Sequence, residues 1–284
     1  MNDRRHAAID LVCQGATPGR NEDHVLVVDS ADATDLVVLD GATSVAGRDY
    51  VDPGGDVAWF VGRFGAALET AILAGLDQPE AVHQAIATVR AQFAGSAGID
   101  IPPYAWPIAA LTWIRATRDG MLHLYALGDC ITLVKAPDGT VADADPWINP
   151  QEAVLRAEIA RLQAAGVADP AARFERLLPL LRARREEQND SAHPAILCLH
   201  PQGPFAARRH AVPAPPGTTL LCMTDGFYRL VDPYALHAPA SLVAACEERG
   251  LEAALRALRA HEAEMAGGTS VKRADDASAV LWRR

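Results

Sequence analysis

Acidic residues stand at the ends of apolar, strand-like runs in five places along this sequence of 284 residues. They are Glu22-Asp23, Asp40-Gly41, Asp129, Asp225-Gly226 and Asp275-Asp276. Strands that bury their apolar parts would place these acidic ends in a shared cleft. Clustered carboxylates repel one another and raise each other's pKa unless a cation lies between them. Because Mg²⁺ and Mn²⁺ take oxygen ligands, the ordered set predicts a site for hard divalent cations.

Glycine follows the acid in Asp40-Gly41 and in Asp225-Gly226. A glycine at this position lets the backbone approach closely and leaves the peptide carbonyl free to act as a ligand. A single Asp-Gly pair is most often only a turn. We interpret Asp119-Gly120 and Asp138-Gly139 in that way, because polar connections surround both. The evidence for a metal site is therefore the ordered set and not any one pair.

Apolar periodicity predicts the elements that must position these acids. The strand-like runs cover residues 7–13, 25–28, 35–39, 108–116, 121–127, 131–134, 218–223 and 279–282. Helical patterns cover residues 56–76, a segment that begins at Pro79, residues 149–185 with a break near Asp169-Pro170, and residues 241–264. Turn signals between consecutive strands outnumber strand–helix–strand units. The order predicts an α+β fold with mainly antiparallel sheets and segregated helices.

Composition limits the partners and the compartment. The chain carries 26 basic and 36 acidic residues, a formal net charge of −10, which argues against binding to nucleic acid or to an anionic membrane. The five cysteines are scattered and form no CxxC pair, so a disulfide framework or structural zinc site is not indicated. No segment has the length of a signal-peptide core or of a membrane span. We expect a cytoplasmic protein.

The acidic motifs, taken in order, resemble those of the PPM-type (type 2C) metal-dependent protein serine/threonine phosphatases, with this chain as a divergent bacterial member. They read Arg20-Asn21-Glu22-Asp23, Leu39-Asp40-Gly41-Ala42, Gly128-Asp129, Thr224-Asp225-Gly226 and Asp275-Asp276-Ala277. The resemblance extends over almost the whole chain. It implies one phosphatase domain over residues 1–284, with a helical insertion at about 149–190. It also implies a four-layer α-β-β-α sandwich around two mainly antiparallel sheets.

The resemblance further implies a metal pair, Mg²⁺ or Mn²⁺. Asp40 would bridge the two ions. Glu22 and the carbonyl of Gly41 would bind one ion, and Asp225 and Asp275 the other. Water activated by the two cations would attack phosphorus in line, with no covalent intermediate. The cations would also present a positive field to the phosphate of a phosphorylated protein, which explains how an acidic chain could bind it.

Three more acids receive roles from the same resemblance. Asp23 would orient the attacking water, and with Asp40 and Asp225 it makes up the expected catalytic set. Asp129 would bind a third, weaker ion or support the other ligands. Asp276 has the same two interpretations, of which the supporting role is preferred.

The sequence departs from the family pattern in four places. Pro18 occupies the position of a phosphate-binding arginine, and Arg20 is either its replacement or a solvated turn residue. Thr43-Ser44 replaces two glycines, and these hydroxyls would either hydrogen-bond near the site or cap the next turn. Cys130-Ile131 replaces Ser-Arg after Asp129. Arg229 replaces an acid, which weakens the third site; it would neutralise Asp129, contact phosphate or lie exposed at a helix end, the last being preferred.

Three functional hypotheses follow. The first is a metal-dependent phosphatase of phosphoserine and phosphothreonine in proteins. The second keeps that chemistry on small phosphate esters, and is motivated by the missing arginine and the helical insertion. The third is a pseudophosphatase that binds partners without turnover, motivated by Pro18, Cys130-Ile131 and Arg229. The intact set of Glu22, Asp40, Asp225 and Asp275 argues against the third.

Overall fold

The computed structural model describes residues 8–96, 100–265 and 274–284. Ala7, the predicted first residue of the first strand, lies outside them. The strands are β1 Ala8–Gln14, β2 Asp23–Asp29, β3 Ala33–Gly41, β4 Ile108–Thr117, β5 Met121–Leu127, β6 Ile131–Lys135, β7 Val141–Asp143, β8 Leu197–Cys198, β9 Arg208–Pro213, β10 Thr219–Met223 and β11 Ala277–Arg283. The helices are α1 Asp56–Leu73, α2 Gln78–Ser96, α3 Pro150–Ala164, α4 Pro170–Asn189, α5 Asp225–Tyr228, α6 Pro239–Arg249 and α7 Leu251–Glu264, with a 3₁₀ turn at Pro103–Ala105.

The strands form two antiparallel sheets, as the turn signals predicted. One sheet has the order β1-β11-β10-β6-β7, and the other has the order β2-β3-β4-β5-β9 with β8 paired to β4. Every named pairing is antiparallel. The first and last strands of the chain lie side by side, so the C-terminal acids are brought back to the N-terminal ones.

Strand β3 shows how the sequence builds the layers. Leu36, Val37, Val38 and Leu39 are all fully buried. Because side chains alternate across a strand, Val37 and Leu39 pack with helices α1 and α2. Leu36 and Val38 pack against the other sheet. A continuous apolar run is therefore required in a strand that is covered on both faces.

A third apolar cluster completes the sandwich. Strand β10 alternates in the same way as β3: Leu220 and Cys222 face the other sheet, whereas Leu221 and Met223 pack with helices α6 and α7. Helices therefore cover the outer face of each sheet. The predicted four-layer α-β-β-α sandwich is confirmed.

Some predicted boundaries were wrong. The helix expected over residues 241–264 is two helices, α6 and α7, because Gly250 adopts φ +80 between them and Asp10 accepts a hydrogen bond from the Leu251 N–H at 2.9 Å. The break near Asp169-Pro170 is confirmed. The Asp169 carboxylate caps α4 by accepting the Ala172 N–H at 2.8 Å. Within the described ranges, no helix has both the length and the apolar content to cross a bilayer.

Candidate active site

The predicted acids meet at one end of the sandwich. The β2–β3 register places Asp23 directly opposite Asp40, and Asp225 begins α5 directly after β10. Burial raises the pKa of Asp40 well above its ordinary value, and the charges of Asp225, Asp23, Asp129 and Asp275 raise it further, in that order. The structure therefore brings four acids from separate parts of the chain into the electrostatic neighbourhood of Asp40.

Glycine permits a close approach of the backbone, as the sequence predicted, and the structure identifies the backbone groups that approach. The Gly41 N–H donates to the Glu22 carbonyl at 3.0 Å, and a Cβ at Gly41 would overlap that carbonyl oxygen. A Cβ at Gly226 would overlap the carbonyl oxygen of Asp276. Each Asp-Gly glycine therefore lets a second acidic motif pass against the first.

Asp276 connects two parts of the cleft through hydrogen bonds. One carboxylate oxygen accepts the Ala16 N–H at 2.7 Å, and the other accepts the Glu22 N–H at 2.6 Å. The chain before β11 is thereby tied to the segment that carries Glu22. Since both oxygens are engaged by backbone, the geometry fits a supporting role better than a ligand role.

The two hydroxyl residues that replace glycines have different roles. The Thr43 hydroxyl donates to Glu22 Oε2 at 2.7 Å, whereas the Ser44 hydroxyl accepts the Ala46 N–H at 3.2 Å. Thr43 thus holds a predicted ligand, and Ser44 supports the turn. Both of the interpretations left open by the sequence apply, one to each residue.

Arg20 lies at the mouth of the cleft. Its Nη2 is 3.7 Å from Glu22 Oε1 and 3.8 Å from Asp49 Oδ1, and 47% of its side chain is exposed. The guanidinium packs against the backbone at Gly55. The guanidinium of Arg20 is positioned to contact an anion that enters the cleft, although Glu22 and Asp49 also interact with its charge.

Asp23 is 5% exposed and accepts a hydrogen bond from the Thr224 hydroxyl at 3.1 Å. Burial raises the pKa of Asp23 to about 8, and the charges of Asp276 and Asp225 act in the same direction, against the hydrogen bond from Thr224. Without a cation nearby, this carboxyl holds a proton at neutral pH. Asp23 can therefore bind and release a proton beside Asp40.

The cleft opens to solvent through a cavity of about 530 Å³. Its lining includes Arg20, Glu22, Thr43, Phe174, Asp275 and Asp276. Phe174 belongs to α4 and is 38% exposed. Helix α4 therefore contributes an aromatic side chain to the same cavity as the acids.

The donor chemistry of the cleft fits hard divalent cations, because every predicted ligand atom is a carboxylate or carbonyl oxygen. The mutual repulsion that raises the pKa of Asp40 is also what a bound cation would relieve. Over the described ranges, no three Asp, Glu, His or Cys side chains are already grouped tightly enough to hold one ion. The acids are gathered, but they do not form a closed coordination sphere.

Sequence reasoning missed the arginines of α4. Arg185 is buried, and its Nη2 lies 3.3 Å from the Ala42 carbonyl oxygen and 3.2 Å from that of Thr43. Arg182 Nε donates to the Val45 carbonyl at 2.9 Å. Nothing in the helical pattern distinguishes these arginines from solvated ones, because their partners are about 140 residues away in the sequence.

The preferred interpretation of Arg229 was wrong. Its side chain is 13% exposed, and Nη1 lies 3.3 Å from Glu262 Oε1 on α7. The guanidinium also lies 5.2 Å from the centre of the Tyr234 ring. Arg229 is therefore a part-buried packing residue and not an exposed helix-end arginine.

A sequence-family model described as protein phosphatase 2C matches residues 5–259. No curated protein sequence matches this chain significantly.

Solved structures share the fold. The serine/threonine phosphatase PstP of Mycobacterium tuberculosis is 16% identical, with 98% of each chain covered and a TM-score of 0.54; a structure of the PstP catalytic domain holds two manganese ions. The PPM Ser-Thr phosphatase MsPP of Mycobacterium smegmatis, in complex with cacodylate, is 18% identical with 97% of each chain covered and a TM-score of 0.54. RsbX in complex with magnesium is 12% identical, with 99% of this chain and 96% of RsbX covered and a TM-score of 0.52. At these identities the likeness establishes the fold alone.

Proposed function

Because this chain belongs to the protein phosphatase 2C family, we propose that it is a Mg²⁺- or Mn²⁺-dependent phosphatase of phosphoserine and phosphothreonine in proteins. The observation that carries the proposal is the gathering of acids around Asp40, whose pKa is raised by burial and by four neighbouring carboxylates. A site of this kind is costly to leave without cations. The open cavity lined by Glu22, Asp275 and Asp276 also favours a functional role.

Different residues of the cleft would bind the two ions of a metal pair. Asp40, whose pKa is raised by four neighbouring acids, would contribute its carboxylate to the metal pair. Glu22, held by Thr43, and the carbonyl of Gly41 would bind one ion, and Asp225 and Asp275 the other. When bound, the ions would lower the pKa of water and neutralise charge on the phosphoryl oxygens.

The remaining residues of the cleft would handle protons and the substrate. Asp23 is buried beside Asp40. Because bound cations would favour its ionised form, it would orient the attacking water and receive its proton. Arg20 is half-exposed at the cavity mouth and would contact the phosphate with its planar fork of donors.

A third ion at Asp129 is a weaker part of the proposal. Asp129 influences Asp40 electrostatically, and its Oδ2 already accepts a hydrogen bond from the Asn149 amide at 3.3 Å. Because Arg229 stands where an additional acid would serve that ion, the proposal requires only two ions.

Substitution of the central acids tests the proposed function. We expect the protein to release inorganic phosphate from a phosphothreonine peptide in Mn²⁺, and Asp40→Ala and Asp225→Ala to reduce the rate at least a hundredfold because each removes a ligand of the metal pair. The measurement is phosphate release under saturating peptide.

A matched control is Asp138→Ala, which removes the acid of an Asp-Gly pair in an exposed turn, where Oδ1 accepts the Thr140 N–H at 2.9 Å. This variant should keep full activity. Activity that persists in excess chelator, or in either active-site variant, would contradict the mechanism.

The same assay separates the two alternatives. Faster turnover of phosphorylated metabolites than of phosphopeptides would assign the enzyme to small phosphate esters. Bound Mn²⁺ without turnover on a broad phosphopeptide panel would assign it to the pseudophosphatases. We favour a phosphorylated protein as the substrate, because the cavity of about 530 Å³ is open to solvent. We also propose that the enzyme acts in the cytoplasm.

A further inference from the structure

We propose that Arg185 of α4 is a positioning residue that fixes the loop after Asp40-Gly41 and thereby sets the affinity of the cleft for divalent cations. The inference rests on the proposed metal pair. It also assigns a role to helices α3 and α4, which the sequence left without one. That role is to hold the loop that follows the proposed metal ligands Asp40 and Gly41.

The contacts of Arg185 are specific to this loop. Its Nη2 donates to the carbonyls of Ala42 and Thr43, at 3.3 and 3.2 Å, immediately after Asp40 and Gly41. Arg185 is 6% exposed, so few water molecules could replace its donors. Removal of the guanidinium would leave both carbonyls without this donor. The loop conformation therefore depends on this guanidinium.

Arg182 extends the same support by one helical turn. Its Nε donates to the Val45 carbonyl at 2.9 Å, and its guanidinium stacks on Tyr104 at 4.8 Å from the ring centre. Three carbonyls of the stretch from Ala42 to Val45 are thus bound by arginines of one helix. The bound stretch contains Thr43 and Ser44, which stand where the family pattern has glycines.

The charge of Arg185 matches its position. Burial lowers the pKa of Arg185 to about 10, and the nearby Glu22 carboxylate opposes this shift. The guanidinium is therefore charged at neutral pH. It supplies one fixed positive charge near Glu22 before any cation binds.

A second connection links the helices to the other side of the cleft. Arg184 Nη2 donates to Asn149 Oδ1 at 3.2 Å, and Asn149 Nδ2 donates to Asp129 Oδ2 at 3.3 Å. Asn149 is also the N-cap of α3. Helices α3 and α4 therefore contact the site at Asp129 as well as at the loop after Asp40.

The test compares Arg185→Gln with Arg176→Gln, which removes an exposed arginine from the same helix. Calorimetric titration of Mn²⁺ into chelator-treated, dialysed protein should show at least tenfold weaker binding in R185Q and unchanged binding in R176Q. The Mn²⁺ concentration for half-maximal phosphate release should rise by the same factor in R185Q, with the rate at saturating Mn²⁺ within about threefold of the unmodified protein. Unchanged Mn²⁺ affinity in a cooperatively folded R185Q would overturn the proposal.

Two further measurements keep the test decisive. Amide hydrogen exchange over residues 42–46 of the metal-free protein should be at least tenfold faster in R185Q than in R176Q, and equal exchange would also overturn the proposal. If R185Q does not fold, Arg185→Lys replaces it, because lysine keeps the charge but not the planar fork; weakened Mn²⁺ binding in R185K supports the proposal and normal binding overturns it. Calorimetry and exchange require no turnover, so a failure of the phosphatase hypothesis is distinguishable from a failure of this one.

Discussion

Asp23 is the residue in which burial and function conflict most clearly. Its carboxyl is buried opposite Asp40 and accepts a hydrogen bond from the Thr224 hydroxyl. Its pKa is about 8 instead of the ordinary 3.8, mainly because of burial. The fold therefore favours the protonated form. Because the pKa is higher in the folded than in the unfolded chain, the stabilisation is complete below about pH 4 and is lost as the pH rises to about 8.

This shift predicts a pH-dependent difference between the protein and Asp23→Asn, in which the side chain stays neutral. The free energy of unfolding of D23N, relative to the unmodified protein, should increase by roughly 3 kcal/mol between pH 5.5 and pH 8.5 in chelator. Urea denaturation at the two pH values measures it.

Asp138→Asn is the matched control, because Asp138 is an exposed turn acid with a lowered pKa and is ionised throughout this range. It should show no such pH dependence. Parallel pH profiles for D23N and the unmodified protein would show that the Asp23 carboxyl is ionised in the fold.

At the scale of elements, the cleft depends on how closely α5 passes the chain that leads into β11. Gly226 directly follows Asp225 in the sequence, and a Cβ at Gly226 would overlap the backbone of Asp276. Backbone cannot move aside as a flexible side chain can. The α5–β11 contact is therefore a point where one methyl group should change both stability and the site.

Gly226→Ala should lower the free energy of unfolding by about 2–3 kcal/mol, since overpacking forces the two backbones apart. The contrasting substitution is Gly62→Ala in α1, where a Cβ meets nothing within 4 Å; it should stabilise the protein by up to about 1 kcal/mol. Chemical denaturation of both variants gives the comparison. A G226A variant as stable as G62A would contradict the close approach.

The elements themselves were largely predictable because burial leaves a simple pattern in the sequence. Strand β3 is apolar on both faces and was recognised from Leu36 to Leu39. The division of α6 from α7 was missed because Gly250 lies within an otherwise continuous helical pattern. The contact that stabilises the division comes from Asp10, more than 200 residues away.

At the scale of the whole molecule, five weak acidic motifs in the right order were sufficient for the family, and that prediction is confirmed. The acids could be found because each one lies at or near the end of a strand. The supporting role of Asp276 was preferred from the resemblance, and its hydrogen bonds fit that role. The support from Arg185 could not be found, since a long-range hydrogen bond leaves no periodic signal. Sequence reasoning therefore proposed the acids of the cleft but not the arginine that holds the loop after Asp40-Gly41.

The net charge of −10 also has a different meaning in the folded molecule. Part of the excess is concentrated in one cleft, where two divalent ions would contribute about +4. The metal-loaded protein should then be the more stable form, because a ligand that binds only the folded state stabilises it. The rest of the acidic excess requires no functional explanation.

The central claim is that the acids around Asp40 hold a metal pair, and a crystal structure of the protein grown with Mn²⁺ tests it most directly. The account predicts two anomalous difference peaks that share the Asp40 carboxylate, one beside Glu22 and Gly41 and the other beside Asp225 and Asp275. An empty cleft at saturating Mn²⁺, or peaks that do not involve Asp40, would contradict it.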